Sequence, residues 1–205
     1  MDMRIKEWEK LPFVDSATVL SQLKMIQRQV ADSNLEDRVK NLRIRKFKQY
    51  HEGWEAAIFC FGMSKRLGVP ICVALNEASD YDAVAMRVEG DTQFFTPIQI
   101  KEVVPENLNP KTDINKEIAK LNRYPVSNDT VVVIHVNRAG QLQIPTVKVP
   151  RLNIASLWLI GASAPDQSKW FLAGDLLNNP QISFFTLPCP FIDTKPLIAY
   201  TISVR

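Results

Sequence analysis

Residues 79–103 read SDYDAVAMRVEGDTQFFTPIQIKEV. Two apolar stretches flank Gly90-Asp91, a Gly-first pair favoured in two-residue hairpin loops. With that pair as the loop, Glu89 opposes Thr92, and counting back along both strands sets Asp82 against Gln99 and Asp80 against Lys101. Opposed residues of an antiparallel pair share a face, with Cβ atoms roughly 4.5–5.5 Å apart. The period of two places Gln99 and Lys101 on one face and Ile98 and Ile100 on the other. A bulge or a longer loop would shift this register.

Acids, an amide and an ammonium gathered in an apolar hairpin suit metal-assisted phosphodiester hydrolysis. Mg²⁺ prefers oxygen ligands and commonly takes one or two carboxylates, waters and a substrate phosphate oxygen. Asp82 supplies a bridging carboxylate, Gln99 a neutral carbonyl oxygen, and Ile100 a main-chain carbonyl. Lys101 beside the ion can hold the attacking water and offset charge growing on the phosphorus. A further acid, Glu55, sits one turn before Ile58 and Phe59 on an apolar helix, where an inward carboxylate needs a partner.

Around the hairpin the pattern alternates between helix and strand. Residues 16–31 place Val19, Leu23, Ile26 and Val30 at helical spacing behind Ser16 as N-cap. A second helix is expected over 34–50. A third, over 51–68, is apolar nearly all round and stops at Gly68 and Pro70. Residues 70–76 form a continuous apolar run, as in a buried strand, and 109–125 return to helical spacing. TVVVIHV at 130–136 is a β-branched strand. Short strand-like runs follow at 142–149, 154–161, 168–173 and 182–187. Prolines at 145, 150, 165, 180, 188, 190 and 196 argue that this region forms edge strands and turns rather than a central sheet. The expected fold is therefore α/β: a mixed sheet with an αβββαβ core over 51–137. N-terminal helices (1–50) pack on it and a β-rich extension (138–205) follows, all as one compact domain.

Bulk properties fit a folded chain. Of 205 residues, 46% are hydrophobic and 23% charged, enough for a packed core. The net charge of +3 is too small to name a nucleic-acid partner, so its distribution matters more. Arg38, Lys40, Arg43, Arg45, Lys46 and Lys48 carry no acid among them. They form either a solvated helix face or a track for a phosphate backbone. Three widely spaced cysteines have no zinc or redox spacing and read as free thiols of a reducing compartment, so a cytoplasmic location is expected. The N-terminus lacks an apolar signal region, and no apolar run reaches membrane-spanning length. No Gly-rich phosphate loop or Ser-His-Asp order is visible, and His135, alternating inside its strand, reads as structural.

The element order and the hairpin residues together resemble the PD-(D/E)xK, or restriction-endonuclease-like, nuclease superfamily over roughly residues 51–137. Glu55 matches the acid of that family's first helix, Asp82 in SDYDAV the acid of its second strand, and Gln99-Ile100-Lys101 its (D/E/Q)xK tripeptide. Tyr81 stands where proline often precedes the acid, and Gln99 replaces the usual carboxylate. The resemblance implies a Mg²⁺- or Mn²⁺-dependent endonuclease acting on DNA, for which a homodimer would suit double-strand cutting. Two alternatives stay open: a nuclease-like module that binds nucleic acid without cutting, and a protein-interaction component using the Pro-rich C-terminal strands. Asp82 as a simple strand cap, Lys101 snorkelling to a strand end and Glu55 on a solvated helix face are the corresponding structural alternatives.

Overall fold

The computed structural model describes residues 3–32, 48–76, 81–123, 127–138 and 142–188. Helix α1 spans Met3–Trp8, strand β1 Val14–Asp15, helix α2 Ser16–Ala31 and helix α3 Lys48–Leu67. Strands β2 (Cys72–Leu75), β3 (Ala83–Glu89) and β4 (Thr92–Val103) come next, then helix α4 (Ile114–Lys120) and strand β5 (Ser127–Val136). Strands β6 (Ile154–Ala162), β7 (Lys169–Gly174) and β8 (Gln181–Thr186) complete the described chain.

Helix α2 covers the residues its periodicity predicts, but its cap is Asp15 rather than Ser16. The Asp15 carboxylate accepts from the Thr18 N–H at 2.9 Å, which satisfies one of the orphan donors of the first turn. The helix expected over 34–50 lies outside the described residues, except that 48–50 open α3. Helix α3 is buried at every position from Gly53 to Gly62, because the sheet covers one side and α2, through Leu20, another. It ends at Gly68, whose φ of +70° only glycine adopts without strain.

All eight strands form a single mixed sheet in the order β1 to β8. Neighbours are antiparallel except β4–β5 and β5–β6, which are parallel. Between β3 and β4 the register runs from Glu89 opposite Thr92 to Ala83 opposite Ile98, as counted from the turn. Gly90 has a φ of +57°, as the first position of a Gly-first hairpin loop requires. Helix α4 and its 3-10 extension, Leu121–Arg123, make the crossover that a parallel β4–β5 pair needs.

Alternation along β4 and β5 divides the core in two. Ile98 and Ile100, with Val131 and Val133, meet Ile58, Phe61 and Trp54 of α3. Val103, Val132 and Ile134 meet Ile118 and Leu121 on the opposite face. Leu142, Ile144 and Val147 of the β5–β6 connection pack on that second face too.

The C-terminal region departs from the sequence reading. Strands β6 and β7 lie inside the sheet rather than at its edge, with Leu157, Leu159, Ile160 and Leu172 fully buried. The prolines at 145, 150, 165 and 180 fall between strands and Pro188 follows β8, so they interrupt no ladder; those at 190 and 196 lie outside the described residues. Residues 142–149 form a 3-10 turn at Ile144–Thr146 rather than a strand. Among the described residues no helix is long and apolar enough to cross a membrane.

Candidate functional site

Asp82 directly precedes β3, where the regular ladder stops. Its N–H bonds the Ile98 carbonyl at 2.8 Å, so the backbone slips by one position relative to the strand pairs above it. That slip aims the carboxylate at β4. One oxygen accepts from the Ile100 N–H at 2.7 Å and from the side-chain amide of Gln99. Asp82 and Gln99 are therefore in contact through their side chains, although the slip takes Asp82 out of the counted register, whose pairs end at Ala83 opposite Ile98. Ile100 reaches Asp82 through its N–H; its carbonyl, proposed from the sequence as a ligand, is not the group that touches Asp82. Half-buried Lys101 follows on the Gln99 face of β4, beside Ile134 of β5. Asp80 lies outside the described residues.

Glu55 goes elsewhere. Helix α3 packs on the face of Ile98 and Ile100, so it carries Glu55 to the side of the sheet opposite Gln99 and Lys101. There the Glu55 carboxylate lies 2.6 Å from Nδ1 of His135. The β4–β5 register sets Glu102 beside His135, and Glu102 shares the Ile100 face by alternation. One ligand atom each from Glu55, Glu102 and His135 lies within 4.8 Å of the others, so this cluster could hold a metal ion. The Asn137 amide donates to Glu102 Oε1 at 2.7 Å.

Glu102 was not singled out from the sequence, and His135 was read there as structural rather than as a ligand. The usable signal was parity: each falls two residues after an inward residue, Ile100 and Val133, near the ends of strands that pair in parallel. Of the six basic positions, Arg38, Lys40, Arg43, Arg45 and Lys46 lie outside the described residues. Lys48 opens α3 and pairs with Glu52 at 3.1 Å.

Burial raises the thiol pKa of Cys60 well above the ordinary range and that of half-buried Cys72 less far. Both are free thiols. Cys189 lies outside the described residues.

No family model, curated protein or solved structure matches this chain.

Proposed function

We propose that the chain is a metal-dependent nuclease of the PD-(D/E)xK type, in its QxK form, hydrolysing phosphodiester bonds of DNA. The observation that carries this reading is the contact of the Asp82 carboxylate with the Gln99 amide and the Ile100 N–H, with Lys101 next on the same strand face. The order α3–β2–β3–β4–α4–β5, with β5 parallel to β4, supports it as the αβββαβ arrangement of a restriction-endonuclease-like core.

The donor set fits a hard cation. Asp82 offers a carboxylate, and Gln99 offers an amide oxygen once the amide turns about its last torsion. These two residues would hold Mg²⁺ or Mn²⁺, which supplies positive charge at the scissile phosphate and acidifies a bound water. The Ile100 N–H fixes the Asp82 carboxylate, so its orientation costs nothing further when substrate arrives. Lys101 holds the attacking water and offsets the developing negative charge. Glu55, on the other face, is not assigned to this ion.

Purified protein incubated with plasmid and single-stranded DNA should cut in Mg²⁺ or Mn²⁺ and stop with chelator. Asp82→Ala and Lys101→Ala should abolish cutting while leaving the far-UV circular dichroism unchanged. Absence of cleavage of every DNA and RNA form by the wild-type chain would defeat the proposal.

A second reading draws on the same contact. The Gln99 amide nitrogen, not its oxygen, faces Asp82, and such a closed hydrogen-bonded pair suits a module that binds nucleic acid without cutting. That module would bind DNA with an affinity falling steeply with salt, and neutralising Arg43, Arg45 and Lys46 together would flatten the slope.

A further inference from the structure

We infer that Glu55, Glu102 and His135 form a second cation site, separate from Asp82 and Gln99, that takes a borderline divalent ion such as Zn²⁺ and fastens α3 to β4 and β5. The inference does not depend on nuclease activity.

Three elements far apart in the chain bring their ligand atoms within 4.8 Å of one another. The Glu55 and His135 side chains are only 8% and 10% exposed. The Glu55 carboxylate and the His135 imidazole are drawn out of water, and half-buried Glu102 brings a second carboxylate to them, a set of two oxygen donors and one nitrogen donor that suits a divalent ion. An imidazole among carboxylates selects Zn²⁺ or Co²⁺ over Mg²⁺ or Ca²⁺, which favour oxygen alone.

Two further features point the same way. The Asn137 amide holds Glu102 Oε1 at 2.7 Å, the kind of outer contact that orients a metal-ligating carboxylate. One turn before Glu55 on α3, His51 has an Nε2 that is shielded from solvent and lacks a hydrogen-bond partner among the described residues. Residues four apart lie on the same helix face, so His51 shares the face of Glu55, while the group of ligand atoms within 4.8 Å consists of Glu55, Glu102 and His135. A buried imidazole nitrogen with no partner is a group that a metal would satisfy.

The test uses Co²⁺, whose visible absorption reports a site with few ligands independently of DNA cleavage. Chelator-treated full-length protein titrated with Co²⁺ should develop a saturable visible band at one ion per chain, erased by Zn²⁺. Glu102→Gln should weaken Co²⁺ binding about tenfold or more, and His135→Gln should abolish the band. Asp82→Ala should keep it. Absence of a saturable band overturns the inference, as does a band lost in Asp82→Ala but kept in Glu102→Gln. Should His135→Gln fail to fold, half-buried Glu102 near the end of β4 still decides the matter. A nuclease that cuts but shows no Co²⁺ band sinks only this site, and a Co²⁺-binding chain that never cuts sinks only the proposed activity.

Discussion

The Glu55 carboxylate on α3 meets Nδ1 of His135 on β5 at 2.6 Å, across eighty positions of sequence. Both side chains are nearly sealed from water. Removing one member of such a pair leaves the other buried without its hydrogen-bond partner, a loss of about 1–3 kcal/mol. His135→Ala in metal-free protein should therefore lower the urea midpoint by the equivalent of about 2 kcal/mol. Glu55→Gln keeps a hydrogen-bonding group at the same place and should cost less than half of that. Equilibrium unfolding followed by tryptophan fluorescence reads both. A His135→Ala shift no larger than that of Phe184→Ala, a residue 72% exposed at the sheet edge, would remove the pair from the list of stabilising contacts.

Gln99 decides how strongly the hairpin site can hold a hard cation. Gln99→Glu sets a second carboxylate against Asp82, where the amide now donates a hydrogen bond. Without metal the two like charges repel, and the variant should melt below wild type. With millimolar Mg²⁺ the repulsion becomes a ligand pair, so the melting temperature should recover by more than wild type gains. Differential scanning fluorimetry with and without Mg²⁺ measures both changes. Equal Mg²⁺ shifts in the two proteins would show that the ion does not bind between these residues.

How much of this was legible in the sequence follows from the range of each interaction. The β3–β4 register came from two residues, Gly90 and Asp91, because a two-residue loop fixes every pair above it. Helix α2 was equally local, though its cap moved to Asp15, one position earlier than the hydroxyl that seemed to fit. Glu55 was not local. That it faces inward follows from the apolar helix, but which face of the sheet it meets depends on how α3 crosses the strands. The pairing of Glu102 with His135 depends on parallel β4–β5 register, set through a crossover that no short pattern encodes. The same blindness hid the interior position of β6. Its prolines lie in the connections, and a proline census over the region could not separate those from the strands.

The two described cysteines should differ in reactivity. Cys60 of α3 is fully buried in the core, and burial holds its thiol protonated far above the ordinary range. Cys72, at the start of β2, is half-buried and shifted less. Iodoacetamide at pH 8 should label Cys72 first and reach Cys60 only as the chain unfolds. Peptide mapping by mass spectrometry, with and without urea, tests the order. Cys60 labelling in native protein at the Cys72 rate would mean that α3 opens far more readily than its packing implies.

Tyr50 offers a pH test of the contact between α2 and α3. Its hydroxyl donates to the Leu23 carbonyl at 2.5 Å, and burial pushes the phenol pKa up to about 12. The folded chain thus keeps the proton more tightly than the unfolded one, whose phenol titrates near 10. The contribution of Tyr50 to stability is complete below pH 10 and declines as pH rises toward 12. Tyr50→Phe should be less stable than wild type at pH 8 by about 1 kcal/mol, the usual net worth of one hydrogen bond. Between pH 10 and 12 that gap should narrow, because only wild type carries a phenol that ionises on unfolding. Paired urea titrations at pH 8, 10 and 11 measure it, with other groups titrating equally in both proteins. A gap that stays constant over this range would mean that the Tyr50 hydroxyl ionises in the fold as it does in the open chain.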